Sequence, residues 1–283
     1  MQQQSGVGIA PMPGPEAKAN AQLRESALKE EMNPNRNAPR LLGESTMTSP
    51  KRLARIAGVL YLLVFISGVF AQGFVLPKIY LAGDAATTAG NVVANSGLAR
   101  IGVVADLFQA TVLVFLGMTL YILLKHVHQS AARAMLVIVA IGSAIICLND
   151  VFTFESVRVA TESSYVAALG TAGSSALVLL LLDIQHYGFY IAQIFFGLWL
   201  VPLGYLAFKS GMFPKALGVL LIVGGACLLV EMLATFLVPD FGEAKINVFV
   251  TIPSAVAEIV MIGYLLVIGV KAPKPAARIV AAA

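Results

Sequence analysis

Seven polar side chains lie within long apolar stretches of this sequence, where ionisable groups are rare. A charged residue at the centre of a membrane helix costs about 2.5–3.5 kcal/mol on insertion scales, so each one needs a structural or functional reason. Two kinds of chemistry suit such residues: a polar cavity that binds a small solute, or a relay of protons between carboxylates. The candidate residues are Asp106, Gln109, Asn149, Asp150, Gln193, Glu231 and Glu258.

The spacing of some of these residues puts them on shared helix faces. Asp106 and Gln109 are three residues apart, so they face the same side of a helix. Gln193 forms a stripe with Tyr190 and Gly197, and His186 lies one turn above it. These patterns predict a polar cavity that opens to the outer side of the membrane. Its candidate cationic partners, both at the outer boundary, are Arg100 and Arg158.

The same residues have a purely structural interpretation. Polar side chains in membrane bundles also make interhelical hydrogen bonds or contact lipid headgroups at the boundary. Asp106 and Asp150 are shallow enough for that role. Glu231 and Glu258 lie deeper, so the structural interpretation suits them less well.

The residue pattern offers little support for metal or enzyme chemistry. His126 and His128 are two apart in a short loop, without a cysteine or a third histidine nearby. Cys147 and Cys227 lie inside apolar segments, where cysteine usually serves as a small packing residue. The sequence has no HExxH, GxSxG or Walker motif. We therefore predict no cofactor and no metal site, and an enzyme is a minority hypothesis.

The elements that carry the candidate residues are membrane-spanning helices. Of the 283 residues, 58% are hydrophobic and only 12% are charged, whereas a soluble domain is about 25% charged. A bilayer core of about 30 Å requires about 20 apolar residues in a helix. The sequence therefore predicts an all-α fold, a bundle of six transmembrane helices at 56–76, 101–124, 134–154, 187–208, 216–238 and 247–270.

The segments outside these spans differ in character. Residues 1–50 have no apolar period and predict a disordered polar tail, or an upstream mis-start with the native start near Met47. Residues 164–183 predict an extracytoplasmic amphipathic or re-entrant helix, and 272–283 a short cytoplasmic tail. The first apolar run has a tolerable cleavage site at Ala71, but it is longer than a signal peptide requires, which favours an uncleaved helix.

Loop charges predict the orientation of the bundle. Ten Lys and Arg residues lie on one side of the predicted spans and four on the other. Because positive loops stay in the cytoplasm, both termini are expected there. The net charge of +4 does not indicate nucleic acid, since the basic residues flank the apolar runs. The ten are Lys51, Arg52, Arg55, Lys125, Arg133, Lys209, Lys215, Lys271, Lys274 and Arg278.

Three stretches resemble a known family. They are ARIAGVLYLLVFISGVF at 54–70, TLYILLK at 119–125 and FFGLWLVPLGYLAFKSGMFPKALGVLLIVGG at 195–225. Together they resemble the bacterial multi-pass membrane proteins grouped as domain of unknown function four-three-eight-six. The resemblance runs from about Arg52 to Val270. It implies a bacterial plasma membrane location and supplies no known activity and no catalytic residues.

Three functions remain open at this level. The first is an uncharacterised integral membrane protein with an accessory or scaffold role. The second is a small-solute or proton-coupled transporter with a polar cavity open to the outer side. The third is an integral membrane enzyme. The expected partner is the lipid bilayer, together with a second copy of the chain or another membrane protein, and no nucleic acid.

Overall fold

The computed structural model describes Arg24, residues 49–238, Phe241 and residues 245–271, with the backbone alone for 245–249. Backbone contacts divide the chain into Met1–Met47 and Thr48–Ala283, and every helix considered below belongs to the second unit. The predicted polar tail over 1–50 and the predicted tail over 272–283 fall almost entirely outside the described residues.

In the described ranges, six helices are long and apolar enough to cross a membrane, which confirms the predicted six-helix architecture. The described residues contain no strand. The first span is continuous from Pro50 to Ile79 but changes its winding partway, since a π-helical segment replaces the α-helix over Val69–Val75. The elements are α1 Pro50–Gly68, the π segment Val69–Val75, α2 Leu76–Ile79, α3 Ala85–Ala94, α4 Ser96–Leu124, α5 Gln129–Thr161, α6 Ser163–Ser210, α7 Lys215–Leu237 and α8 Lys245–Val267.

The six spans form a closed ring in which each packs against the next. The order around the ring is α1, α4, α5, α6, α7 and α8, and α8 returns to pack against α1. Short connections between long helices favour such antiparallel neighbours. We call the end of the ring where α1 begins the basal face, and the end where α2 finishes the distal face.

The fourth span extends well beyond the length that a membrane requires. We expected a separate helix at 164–183 and a span at 187–208, but the structure has one helix with a single interruption at Gly170, where φ is 71°. The rest, from 171 to 210, is about 60 Å long at 1.5 Å per residue, about twice the hydrocarbon core. Residues 183–186 separated the two predicted helices, but they include no Gly or Pro to end a helix.

Glycines bring α6 and α7 into close contact. A Cβ atom on Gly197 would lie 2.8 Å from the carbonyl oxygen of Gly225, and one on Gly204 would lie 2.6 Å from that of Gly218. Such distances leave no room for any side chain, so two pairs of glycines allow the backbones to touch. This contact fixes the position of the two helices that carry Gln193 and Glu231.

Two apolar clusters occupy the ends of the ring. The larger fills the basal half with leucines such as Leu116, Leu120 and Leu203 around Trp199. The smaller lies at the distal end, where Val92 of α3 and Leu182 of the long α6 pack over the π segment. The polar candidate residues lie between the two clusters.

Candidate functional site

A cavity of about 600 Å³ lies inside the ring, between the two apolar clusters. Five of the six spans contribute to its wall, and only α5 does not. This volume falls within the range of pockets that hold small organic molecules. Its polar lining residues are Tyr61, Gln72, Gln109, Gln193, Glu231, Thr251, Ser254 and Glu258.

Glu231 reaches the cavity from the distal part of α7. It is 4% exposed, and Gln193 Nε2 of α6 donates a hydrogen bond to Glu231 Oε2 at 3.2 Å. The Tyr190 ring lies one turn before Gln193, close enough for its hydroxyl to interact electrostatically with the same carboxylate. The Gln193 side-chain amide thus fixes the position of one carboxylate oxygen of Glu231.

Glu258 reaches the cavity from the middle of α8. The side chain of Tyr61 lies beside it, and the Tyr61 ring packs against Trp199 with 5.5 Å between ring centroids. The basal cluster therefore packs against one side of Tyr61, and the other side of this residue faces the Glu258 carboxylate in the cavity. At the end of the cavity nearest the basal cluster, the aromatic pair of Tyr61 and Trp199 thus lies beside the carboxylate of Glu258.

Most of the remaining cavity wall is apolar and aromatic. Phe65, Phe189, Phe196 and Trp199 all line it, and no Lys or Arg does among the described residues. Aromatic faces attract cations, most strongly where water is excluded. Two carboxylates and several aromatic faces in one wall therefore suit a positively charged ligand.

The absence of a side chain at Gly68 makes room for Gln109. A Cβ atom at Gly68 would lie 2.9 Å from both the oxygen and the nitrogen of the Gln109 amide. Gln109 Oε1 is buried and has no hydrogen-bond partner among the described residues. A neutral polar group therefore points into the space between α1 and α4.

The cavity wall has a gap between the first and last spans. α1 packs against α8 near the basal face, where a Cβ on Gly58 would lie 3.0 Å from Leu265. Farther along, no Cα of the π segment comes within 8 Å of one in the described part of α8. Val69 and Ala255 line the cavity on opposite sides of this gap, and both are exposed. Among the described residues, the distal half of the wall is therefore open between the π segment and α8.

A second, much smaller chamber of about 20 Å³ lies next to the cavity. It contains Asp106 of α4 and Asp150 of α5, whose carboxylates are close enough to repel each other. Gln72 of the π segment lines both spaces, and its Nε2 donates a hydrogen bond to Asp106 Oδ2 at 2.5 Å. The chamber is large enough for one water-sized sphere.

The structure therefore divides the seven sequence candidates into three groups. Gln109, Gln193, Glu231 and Glu258 line the large cavity, and Asp106 and Asp150 line the small chamber. Asn149 lines neither, because its Nδ2 donates a hydrogen bond to the Gln185 carbonyl oxygen at 2.7 Å. That bond joins α5 to α6, which is the structural role proposed as an alternative.

The two arginines considered as partners are engaged elsewhere. Arg158 binds Glu155 and Glu162 of its own neighbourhood, each at 3.0 Å. Arg100 lies over the Phe154 ring, 5.4 Å from its centroid, on the lipid side of α4 and α5. Neither arginine lines the cavity or the chamber.

Sequence reasoning missed three important residues. Gln72 lies near the end of an apolar run, where a polar residue is expected at the membrane boundary. Gln185 lies between two of the predicted helices. Tyr61 was treated as part of an ordinary apolar span. A polar residue followed by glycine, as at Gln72-Gly73, was a signal that could have drawn attention to the first span.

The histidines and cysteines contribute no metal centre. His128 caps α5 by accepting a hydrogen bond from Ala131 N at 3.1 Å. Cys147 and Cys227 are both free thiols. Within the described ranges, no three His, Cys, Asp or Glu side chains are grouped so that they could hold a metal ion.

Comparison with known proteins identifies a family but no characterised relative. No curated protein and no solved structure matches the chain. A family model described as "Domain of unknown function (DUF4386)" matches residues 56–269. The match includes every residue of the cavity and the chamber, and all of the six spans except residues 50–55 of the first. The chain therefore belongs to the DUF4386 family of proteins of unknown function.

Proposed function

We propose that this integral membrane protein is a carrier for small apolar organic cations. One observation carries the proposal: Glu231 and Glu258 converge with a set of aromatic rings on one cavity that no described Lys or Arg lines. Two carboxylates and the faces of several aromatic rings in one wall would together stabilise a positively charged ligand. This favours the transporter among the three functions considered from the sequence.

The lining chemistry selects among ligand classes. An anion would meet two carboxylates and no basic group among the described lining residues. A sugar would need many hydrogen-bond partners, whereas most of the lining is apolar. A quaternary ammonium or phosphonium ion combines positive charge with apolar surface, and carboxylates with aromatic faces recognise that combination. The amides of Gln109 and Gln193 would orient any polar group on the ligand.

The gap between the π segment and α8 provides a route for such a ligand. Apolar cations partition into the lipid, and we infer that the exposed rim at Val69 and Ala255 gives them access to the cavity from there. Closing the gap requires only that the distal halves of the first and last spans approach. Pro253 lies in the last span near this point, where a missing backbone hydrogen bond makes bending easier.

The orientation and membrane that we propose rest on loop charge. Six spans put both ends of the membrane domain on one side, and the excess of Lys and Arg near the basal face favours the cytoplasm for that side. The resemblance to bacterial proteins favours the plasma membrane. Reporter fusions at the C-terminus test this directly: a cytoplasmic fluorescent reporter should be active, and a periplasmic phosphatase reporter inactive.

Uptake into proteoliposomes tests the proposed transport. Tetraethylammonium is a suitable probe because it is cationic, apolar and slow to cross lipid unaided. Purified full-length chain should give saturable uptake above protein-free liposomes. Replacing both acids, Glu231→Gln and Glu258→Gln, should reduce uptake at least tenfold, because the ligand charge loses both counter-charges.

A matched control separates this effect from a general loss of charge. Glu155→Gln removes a carboxylate from α5 that pairs with Arg158 at the surface, far from the cavity lining. This variant should transport at the wild-type rate. Uptake by the double variant equal to wild type, or no uptake by the wild type above empty liposomes, would refute the carrier and favour the accessory or scaffold role.

A further inference from the structure

The small chamber between the π segment, α4 and α5 has the features of an ion site that is separate from the large cavity. Its polar lining consists of Gln72, Asp106, Asp150, Thr153 and Gln185, all of which carry oxygen. Hard cations prefer carboxylate, carbonyl and hydroxyl oxygens. No Lys or Arg belongs to the chamber lining in the described part of the chain.

Unpartnered oxygens point to a missing positive ligand. Gln185 is 2% exposed and Asp150 is 4% exposed, yet Gln185 Oε1 and Asp150 Oδ2 have no hydrogen-bond partner among the described residues. Gln72 Oε1 is buried and unpartnered in the same way, while the nitrogen of that amide is bound to Asp106. Three buried acceptors on residues of the chamber lining therefore lack a partner, and a cation between them would satisfy all three.

The backbone around the chamber is also irregular. Ala71, Gln72 and Val75 of the π segment form one wall, and a Cβ on Gly102 of α4 would lie 2.8 Å from Val75. π-helical turns are rare and occur frequently at functional sites.

We propose that this chamber binds one dehydrated Na⁺ ion, held by the carboxylates of Asp106 and Asp150 and the side-chain oxygens of Gln72 and Gln185. The volume of about 20 Å³ accommodates one ion without hydration water. Ca²⁺ takes six to eight oxygens and Mg²⁺ usually keeps several waters, so neither suits so small a chamber. Carboxylate oxygens attract the smaller Na⁺ more strongly than K⁺ because the charges approach more closely.

Direct binding of ²²Na⁺ to the purified full-length chain tests the site without any organic ligand. Ionic strength is held constant with N-methylglucamine chloride. Saturable binding that approaches one ion per chain is expected, and unlabelled Na⁺ should compete at least tenfold better than K⁺. The result does not depend on whether the large cavity binds an organic cation, so the two proposals fail independently.

Variants locate the site. Asp150→Asn and Gln185→Leu should each weaken ²²Na⁺ binding at least tenfold, and Glu155→Gln on the same helix as Asp150 should bind as wild type does. Size-exclusion profiles and circular dichroism identify variants that fail to fold, and the wild-type measurement stands without them. Absence of saturable ²²Na⁺ binding overturns the proposal, as does equal competition by K⁺, stronger competition by Ca²⁺, or undiminished binding by folded Asp150→Asn.

Discussion

The amide of Gln72 donates a hydrogen bond from Nε2 to Asp106 Oδ2 at 2.5 Å, and the same side chain lines both the large cavity and the small chamber. Gln72 lies in the π segment, whose winding turns it toward α4. The Gln72 side chain thus forms part of the wall between the cavity and the chamber. A ligand bound in either space would therefore contact this side chain.

Gln72→Leu should destabilise the protein through Asp106. The substitution leaves a buried carboxylate without its donor, and hydrogen bonds to charged groups contribute about 1.5–3 kcal/mol. We expect a loss of that size in the free energy of unfolding, measured by denaturant titration in micelles. Adding Asp106→Asn should recover part of the loss, because a neutral amide is cheaper to bury unpaired than a carboxylate. Strictly additive effects of the two substitutions would contradict the shared contact.

Gly68→Leu should close the cavity from the α1 side. A Cβ at this position already comes within 2.9 Å of the Gln109 amide, and the larger side chain would extend into the space that the ligand needs. Tetraethylammonium uptake should fall at least tenfold while the protein remains folded. Gly263→Leu on α8 is the control, since no neighbouring group in the described part of the chain lies within 4 Å of a Cβ there. Equal uptake by the two variants would count against the cavity as the transport site.

Gly204→Ala should separate α6 from α7. Its Cβ would lie 2.6 Å from the Gly218 carbonyl oxygen, so the helices must move apart. Overpacking of this kind costs about 1–3 kcal/mol. Thermal unfolding of the purified protein should show a clear fall in Tm for Gly204→Ala and little change for Gly263→Ala. An unchanged Tm in the first variant would mean that the two backbones are not in direct contact.

The sequence predicted the membrane-spanning helices of this fold better than the residues at which helices begin and end. Long apolar runs and alternating loop charges identify spans because a lipid environment penalises polar residues strongly. The end of a helix carries a weaker signal in the sequence. We predicted that one helix ends at Asp183 and the next begins at Tyr187, yet Asp183 lies within a continuous helix and accepts a hydrogen bond from Tyr80 at 2.6 Å.

The candidate site was foreseen as a set of residue types but not as two separate spaces. Burial of a carboxylate in an apolar run is visible in the sequence, so Glu231 and Glu258 could be selected. The rotation of each helix about its axis depends on packing, and a π segment changes that rotation partway along a span. For that reason the sequence placed all seven candidates in one cavity, whereas the structure puts Asp106 and Asp150 in a separate small chamber.

Asp84 should stabilise α3 in a pH-dependent way. Its carboxylate accepts hydrogen bonds from Thr87 N at 2.9 Å and Thr87 Oγ1 at 2.7 Å, and these bonds lower the pKa of Asp84 below its usual value. The stabilisation is therefore complete above the pKa of the unfolded chain and is lost as pH falls through the lower folded pKa. Hydrogen exchange of the α3 amides should be faster in Asp84→Ala than in wild type at neutral pH.

The difference between Asp84→Ala and wild type should shrink as the solution is acidified. Asp84→Ser keeps a capping oxygen without a titratable charge, so its exchange rates should show no such pH dependence. A gap between Asp84→Ala and wild type that stays constant through the carboxyl range would contradict this role of the charge.

The fluorescence of Trp199 gives the most direct test of the central claim that the cavity binds an apolar cation. Trp199 is the only tryptophan in the chain and lines the cavity beside Tyr61. Titration with tetraphenylphosphonium should change its emission saturably, whereas neutral triphenylphosphine oxide should have at least tenfold weaker effect. The double variant Glu231→Gln and Glu258→Gln should lose that preference for the cation, and Glu155→Gln should keep it. Equal responses to the charged and neutral compounds in the wild-type protein would contradict the account.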